Sequence, residues 1–349
     1  MNFRVDRWSA AALRSSLVIL TMVGALLLSS CGGGGQSSQS KRFKPTRMIV
    51  FGDESSLLVP TTPGGNDSRK FTNNGFNFVN TTVIDCANAS RLWVQYLADE
   101  YGLVFAECNP NNLTATAQMR AKANAKVEGT NGVVQQVDEF LAATPGNAAV
   151  PTDLITMMAG TNDILELYDR VTNSANPAPL SQAAAVAEAK RRAVVFAAQI
   201  DRLTNRSNTL GRVMYSTVPE LGLTPFGLSK PLGDQTLLNL LTTSFNDEMR
   251  LNVDDNGRSR GFLNTSQQFR NVVDFVRRGK SVSRADITNV TVAACRDPVN
   301  LLLCTNASDS LVTGATSISH LWAGNVNFSA AGHILVGNDA VDLATSLPW

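Results

Sequence analysis

The chain of 349 residues is long enough to bury one large hydrophobic core, and its length alone would also allow two domains. Hydrophobic residues make up 44% of the sequence and charged residues 17%, with a formal net charge of +1. This balance, with no basic run and few aromatic residues, excludes the basic surface that a nucleic-acid-binding protein needs.

The N-terminus has the pattern of an export signal. Arg4, Arg7 and Arg14 give it positive charge, and residues 17–28 form an apolar stretch that is too short to cross a membrane. The stretch ends in the sequence LSSC, which resembles a bacterial lipobox with the cysteine at Cys31. In lipoproteins this cysteine becomes the lipidated N-terminus after cleavage. The alternative is an ordinary secretory signal with an incidental cysteine.

We therefore expect a lipoprotein signal peptide over residues 1–30 and a lipidated Cys31. The glycine- and serine-rich stretch that follows predicts a flexible linker over residues 31–44, and residues 45–349 form the folded domain. Gly32 stands where an aspartate would favour retention at the inner membrane, so the resemblance favours anchoring at the outer membrane of the cell envelope.

Strands and helices are predicted to alternate along the domain. Short apolar runs predict strands over residues 48–51, 153–159, 212–218 and 271–275. Helical spacing or composition predicts helices over residues 91–101, 132–141, 182–203, 234–251 and 330–346. Such alternation predicts a parallel sheet covered on both faces, with ligands bound beyond the carboxyl ends of the strands. Asp53, Glu54, Gly160 and Asn162 follow the first two strands and are expected near one cleft.

The domain contains four cysteines: Cys86, Cys108, Cys295 and Cys304. An even number in an exported chain indicates two disulfides. Three pairings are possible, and proximity along the chain favours Cys86–Cys108 and Cys295–Cys304. A zinc site is the alternative, but the chain has no CxxC pair and no histidine near these cysteines.

Five segments resemble, in order, the motifs of one hydrolase family. They are residues 49–57 (IVFGDESSL), 160–163 (GTND), 218–225 (VPELGLTP), 244–246 (SFN) and 329–333 (SAAGH). Together they resemble the bacterial esterase and lipase branch of the GDSL/SGNH hydrolases. The resemblance implies a three-layer α/β/α sandwich with a flavodoxin-like parallel sheet. It also implies a serine ester hydrolase that needs no cofactor and no metal.

In that family a serine after Gly-Asp is the nucleophile, and an Asp-x-x-His near the C-terminus supplies the orienting acid and the base. A block II glycine and a block III asparagine contribute to the oxyanion hole. The corresponding positions here are Glu54 for the serine, Gly324 for the aspartate and Asn327 for the histidine. Residues 123–127 (ANAKV) resemble block II without its glycine, whereas Asn162 of block III is retained.

These substitutions predict that the family mechanism is absent or vestigial, because a serine hydroxyl needs a base and the oxyanion needs preorganised donors. We expect a non-catalytic protein that binds an ester, acyl or glycan ligand or acts as a scaffold. One alternative is a rebuilt esterase that uses Ser55 or Ser56 with His333. A third hypothesis assigns acid–base chemistry or cation binding to Glu54. The favoured interpretation of Glu54 is that it caps the following turn and faces water.

Overall fold

Five parallel strands form the central sheet in the computed structural model. The structure describes residues 42–62, 67–77, 83–205, 209–254, 258–282 and 285–346. The strands are β1 (Arg47–Gly52), β2 (Leu58–Pro60), β3 (Ser68–Lys70), β4 (Ala117–Met119), β5 (Asp153–Met158), β6 (Arg212–Ser216), β7 (Arg260–Leu263), β8 (Asn289–Ala293) and β9 (His320–Trp322). The helices are α1 (Trp93–Glu100), α2 (Val133–Ala143), α3 (Thr161–Thr172), α4 (Gln182–Leu203), α5 (Pro225–Leu228), α6 (Leu232–Asn252), α7 (Thr265–Arg277) and α8 (Ala330–Thr345).

The strand order of the central sheet is β4-β1-β5-β6-β7. Counted along the chain, this is the order 2-1-3-4-5 of flavodoxin-like sheets, with a reversal between β1 and β5. The register pairs Ile49 with Ile155 and Gly52 with Met158, so the two strands end at the same edge. The strand pairs β2–β3 and β8–β9 form two smaller sheets.

Side chains of β1 alternate between two hydrophobic cores. Met48 and Val50 pack in the core that contains residues of α1, α7 and α8. Ile49 and Phe51 pack in the core that contains residues of α2, α3, α4 and α6. Because both faces of the sheet are covered, every one of these strand residues is apolar and fully buried. The predicted three-layer α/β/α sandwich with a parallel sheet is therefore confirmed.

One predicted strand is wrong. Residues 271–275 lie within α7, which Asn264 caps by accepting a hydrogen bond from the backbone N–H of Gln267 at 3.2 Å. Phe269, Val272 and Val273 lie on one buried face of that helix, so their spacing serves a helix rather than a strand. The strand at this edge is β7, which is short and begins with an arginine, and its sequence gave no strand signal.

The predicted disulfides are confirmed. Cys86 pairs with Cys108 and Cys295 with Cys304, with Cα–Cα distances of 5.8 and 5.9 Å. The predicted signal peptide and Cys31 lie outside the described residues.

Residues just before β1 also pack against the folded domain. Phe43 is buried, and the Arg212 guanidinium lies 4.3 Å from the centre of its ring. In the part of the chain that the structure describes, no helix combines the length and apolar character needed to cross a bilayer.

Candidate functional site

The two motif loops lie at the carboxyl ends of β1 and β5, where the strand order of the sheet reverses. Open α/β sheets bind their ligands in the crevice at such a reversal. Asp53 and Glu54 follow β1, and Gly160 and Asn162 follow β5. The fold therefore brings together the residues that the sequence placed near one cleft.

Gly52 allows β1 to approach the end of β5. Its φ is +139°, and a Cβ atom at this position would lie 2.0 Å from the carbonyl oxygen of Met158. No other residue fits here. The next residue, Asp53, donates its backbone N–H to the same oxygen at 3.1 Å. Its Oδ1 accepts the backbone N–H of Ser55 at 2.9 Å and thereby caps the 3₁₀ turn Glu54–Ser56.

Glu54 points into the site rather than into water. Its Oε2 accepts the backbone N–H of Asn124 at 2.9 Å and the side-chain N–H of Asn162 at 3.0 Å, and the Asn162 amide lies 3.3 Å from Oε1. Only 7% of Glu54 is exposed. The expectation that Glu54 caps the turn and faces water is thus wrong, because Asp53 caps the turn and leaves the Glu54 carboxylate to these two donors.

Asn124 replaces the block II glycine without loss of the backbone donor. Its φ is +58°, in the left-handed region, so its N–H is directed at Glu54. From the motif alone, the missing glycine predicts the loss of an oxyanion-hole group. Asparagine, however, adopts the left-handed conformation more readily than other residues with a side chain, and that preference was the signal to use.

The block III loop holds Asn162 in place. Gly160 has a φ of +123°, and a Cβ there would lie 2.8 Å from both Val218 and the Phe245 ring. The amide of Asn162 also donates to the carbonyl oxygen of Ala125 at 3.1 Å, which ties block III to block II. The Asn162 side chain is therefore fixed before any ligand arrives.

Asp163 provides a second link between these loops. Its Oδ2 accepts the backbone N–H of Val127 at 2.9 Å, and its Oδ1 accepts Nη1 of Arg192 at 3.1 Å. Burial raises the pKa of Asp163 to about 6, and the charge of Arg192 opposes this rise. Above that pH the ionised carboxylate supports the geometry of both donors to Glu54.

Asp53 is a buried carboxyl group beside the Glu54 carboxylate. Burial first, and then the charge of Glu54, raise the pKa of Asp53 well above its usual range. Its Oδ2 has no hydrogen-bond partner among the described residues, whereas Glu54 receives both donors. The Glu54 carboxylate, and not that of Asp53, therefore takes the donors of blocks II and III. Within the described ranges, no group of three or more His, Cys, Asp or Glu residues is arranged to hold a metal ion.

The positions of the family acid and base form a tight turn without catalytic groups. The backbone N–H groups of Ala323 and Gly324 donate to the carbonyl oxygen of Asn327 at 2.9 and 3.4 Å. The Asn327 side chain makes no hydrogen bond to any residue that the structure describes, and an amide cannot take a proton from a nucleophile. Gly324 is buried and has no side chain that could orient a base.

The rescue residues make no hydrogen bond to one another in the part of the chain that the structure describes. Ser56 is fully buried, and its Oγ accepts the indole N–H of Trp93 at 3.1 Å. His333 is also fully buried, and its Nδ1 accepts the backbone N–H of Trp93 at 3.4 Å. Burial, together with the positive charge of Lys70, lowers the pKa of His333 to about 3. Trp93 therefore bonds to Oγ of Ser56 and to Nδ1 of His333, whereas Nε2 of His333 has no hydrogen-bond partner among the described residues.

Ser55 lies on the half-buried side of the same turn. Its backbone N–H is bound by Asp53 at 2.9 Å, and its hydroxyl makes no hydrogen bond to His333. Within the described part of the chain, a serine–histidine pair is thus not formed by either serine.

Comparison with known proteins identifies one matching family. The family model described as GDSL-like Lipase/Acylhydrolase matches residues 50–340. No curated protein sequence gives a significant match to the chain.

Solved structures that resemble the chain include a member of the lipolytic protein G-D-S-L family from Veillonella parvula DSM 2008, with 12% identity, a TM-score of 0.42 and coverage of 86% of this chain and 99% of that one. An extracellular lipase from Streptomyces rimosus has 12% identity, a TM-score of 0.41 and coverage of 86% and 100%. Phospholipase A1 from Streptomyces albidoflavus NA297 has 14% identity, a TM-score of 0.38 and coverage of 85% and 99%.

Proposed function

We propose that this chain, which belongs to the GDSL-like lipase/acylhydrolase family, is a non-catalytic lipoprotein of the cell envelope that acts by binding or scaffolding. One observation carries the proposal. The carboxylate of Glu54 is held by the backbone N–H of Asn124 and the amide of Asn162, at the positions where family members stabilise the oxyanion.

Occupation of these donors is incompatible with the family reaction. When a nucleophile attacks an ester, the carbonyl oxygen gains negative charge, and preorganised donors lower the barrier by binding that charge. Here both donors are already bound to an anion of the protein itself. An oxyanion would have to displace Glu54 and would then meet its negative charge at short range.

Loss of the other catalytic groups supports the same conclusion. Asn327 cannot act as a base and Gly324 cannot orient one. Removal of a single triad member typically lowers the rate by orders of magnitude, and the members act as a unit. Ser56 and His333 are both fully buried and make no hydrogen bond to each other, which argues against a rebuilt serine mechanism.

Acid–base chemistry by Glu54 is also disfavoured. A general acid or base must reach the substrate proton. The Glu54 carboxylate is almost fully buried and is fixed by donors on both of its neighbouring loops. Its chemistry is that of a bound structural anion.

The location of the protein is proposed from its N-terminal sequence. The arginines and apolar stretch before Cys31, and the small residues that precede it, support export and lipidation of Cys31. Gly32 supports anchoring at the outer membrane. Metabolic labelling with an alkyne fatty acid tests this. We expect labelled wild-type protein and an unlabelled Cys31→Ser variant, whereas equal labelling of the two would contradict lipidation at Cys31.

Ester turnover tests the loss of catalysis. Full-length protein in detergent is incubated with p-nitrophenyl esters of short and long acyl chains, beside a Ser55→Ala/Ser56→Ala double variant as the matched control. We expect neither protein to hydrolyse any of these esters faster than a protein-free control. Turnover by the wild type that the double variant lacks would overturn the proposal.

A further inference from the structure

Gly324 lies against a segment that leaves no room for a side chain. A Cβ atom at this position would lie 2.7 Å from the carbonyl oxygen of Pro298, 2.7 Å from Cδ1 of Leu301 and 3.1 Å from Oδ1 of Asn327. Real Cβ atoms do not approach other atoms below 3.0 Å. One of these neighbours is backbone, which cannot rotate away as the end of a flexible side chain can.

The crowding segment is the loop that the second disulfide closes, residues 295–304. It is bound to the strand that leads to Gly324. The backbone N–H of Cys295 donates to the carbonyl oxygen of Ala323 at 3.1 Å, and the preceding residue, Ala294, donates to that of Trp322 at 2.9 Å. The beginning of the loop therefore cannot move without breaking its pairing with the chain before Gly324.

The far side of the loop is held by β3 and the segment that follows it. The backbone and side-chain N–H groups of Asn74 donate to the carbonyl oxygen of Cys304 at 2.9 and 3.0 Å. The side-chain amide also donates to Leu301 at 3.3 Å, and Arg69 donates to the carbonyl oxygen of Leu302 at 2.7 Å. The loop is thus fixed on two sides, with Gly324 between it and the rest of the fold.

A small apolar core completes the contact. Leu301 is 1% exposed and belongs to a separate buried cluster. The cluster contains Ala294, Cys295, Leu301, Cys304, Leu311 and Ala323. An aspartate at position 324 would have to displace the Leu301 side chain from this cluster and would place its carboxylate beside the Pro298 carbonyl oxygen, which repels it.

We infer that the disulfide-closed loop of residues 295–304 is docked in the space that the orienting aspartate of the family requires, and that Gly324 is the residue that makes this docking possible. The inference rests on the proposed loss of catalysis and gives it a structural cause. Gly324 is then a requirement of the present fold, and reversion to aspartate is blocked by the loop.

Reduction of the second disulfide reports directly on this docking. Cys295 and Cys304 are 2% and 4% exposed, so a water-soluble phosphine reaches the bond only when the loop opens. The experiment follows reduction in full-length wild-type protein, Gly324→Ala and Gly324→Asp, with alkylation and peptide mapping. The bond between Cys86 and Cys108 serves as the internal reference.

We expect both variants to reduce Cys295–Cys304 faster, and Gly324→Asp by at least about tenfold, since overpacking of this size favours opening. Reduction of Cys86–Cys108 stays unchanged. Gly233→Asp is the matched control, because a Cβ at Gly233 meets no heavy atom within 4 Å. If Gly324→Asp does not fold, the rate of Cys295–Cys304 reduction in Gly324→Ala decides the test.

An unchanged rate of Cys295–Cys304 reduction in the Gly324 variants would overturn the inference. Its failure is distinguishable from failure of the proposed function. Wild-type ester turnover decides the latter, and the disulfide experiment does not depend on that result.

Discussion

Replacement of Glu54 with alanine removes the anion from the two donors that hold it. The variant leaves the backbone N–H of Asn124 and the amide of Asn162 without their acceptor, inside a crevice that Glu54 itself fills. We expect the free energy of unfolding to decrease. If these donors were free, as they are in an active hydrolase, replacing residue 54 with alanine would change the free energy of unfolding little.

The magnitude follows from the contacts. Hydrogen bonds to a charged group contribute about 1.5–3 kcal/mol each, so two donors give about 3–6 kcal/mol. The loss of stability is partly offset, because removal of the Glu54 charge also removes its repulsion of Asp53, which raises the pKa of that group. Water that enters the vacated space can accept hydrogen bonds from the two donors and offsets more of the loss, which leaves a net decrease of about 2–4 kcal/mol in the free energy of unfolding. Glu54→Gln keeps an oxygen for both donors and should lose about 1 kcal/mol.

Urea denaturation of the three proteins at neutral pH measures these differences. Acetate provides a second readout, because it can replace the missing carboxylate. At about ten times its Kd, acetate should restore about 1.4 kcal/mol to Glu54→Ala and nothing to the wild type, with chloride as the control for ionic strength. A Glu54→Ala variant that is as stable as the wild type would refute the reasoning.

Three further changes test other parts of the structure. In the wild type, the low pKa of His333, about 3 in the folded protein, should cost about 5 kcal/mol of stability as the pH falls from 6.5 to 3. His333→Asn should make the stability depend less on pH in this range, and an unchanged pH dependence in urea titrations would contradict this. Asn124→Gly should preserve stability while Asn124→Ala loses about 1 kcal/mol, because alanine resists the left-handed conformation; equal denaturation midpoints would contradict it. Cys86→Ser/Cys108→Ser should lose about 3 kcal/mol, from a cross-link that spans 22 residues; an unchanged thermal midpoint would contradict that.

The sheet was largely predictable because its central strands carry their own signal. Residues 48–51 are a continuous apolar run and residues 153–159 a mostly apolar one, and both end in glycine-containing loops, as buried parallel strands do. Edge strand β7 carries no such run. Residues 271–275, which were predicted as a strand, belong to a helix whose apolar face repeats every three or four residues.

The sequence predicts which residues form the site but not how their side chains are arranged. Its residues were found because their motifs follow β1 and β5. The orientation of Glu54 depends on a donor that is 70 residues away in sequence and on a non-glycine residue in the left-handed region. Likewise, Gly324 is constrained by Pro298 and Leu301, a contact that no local pattern reveals.

The most direct test of the account is fluorophosphonate labelling of the full-length protein, read by intact mass and peptide mapping beside an active family hydrolase. The account predicts that the active hydrolase is labelled and that this protein carries no adduct. A single adduct on Ser55 or Ser56 that disappears in His333→Asn would show that the serine mechanism has been rebuilt, and would contradict the loss of catalysis.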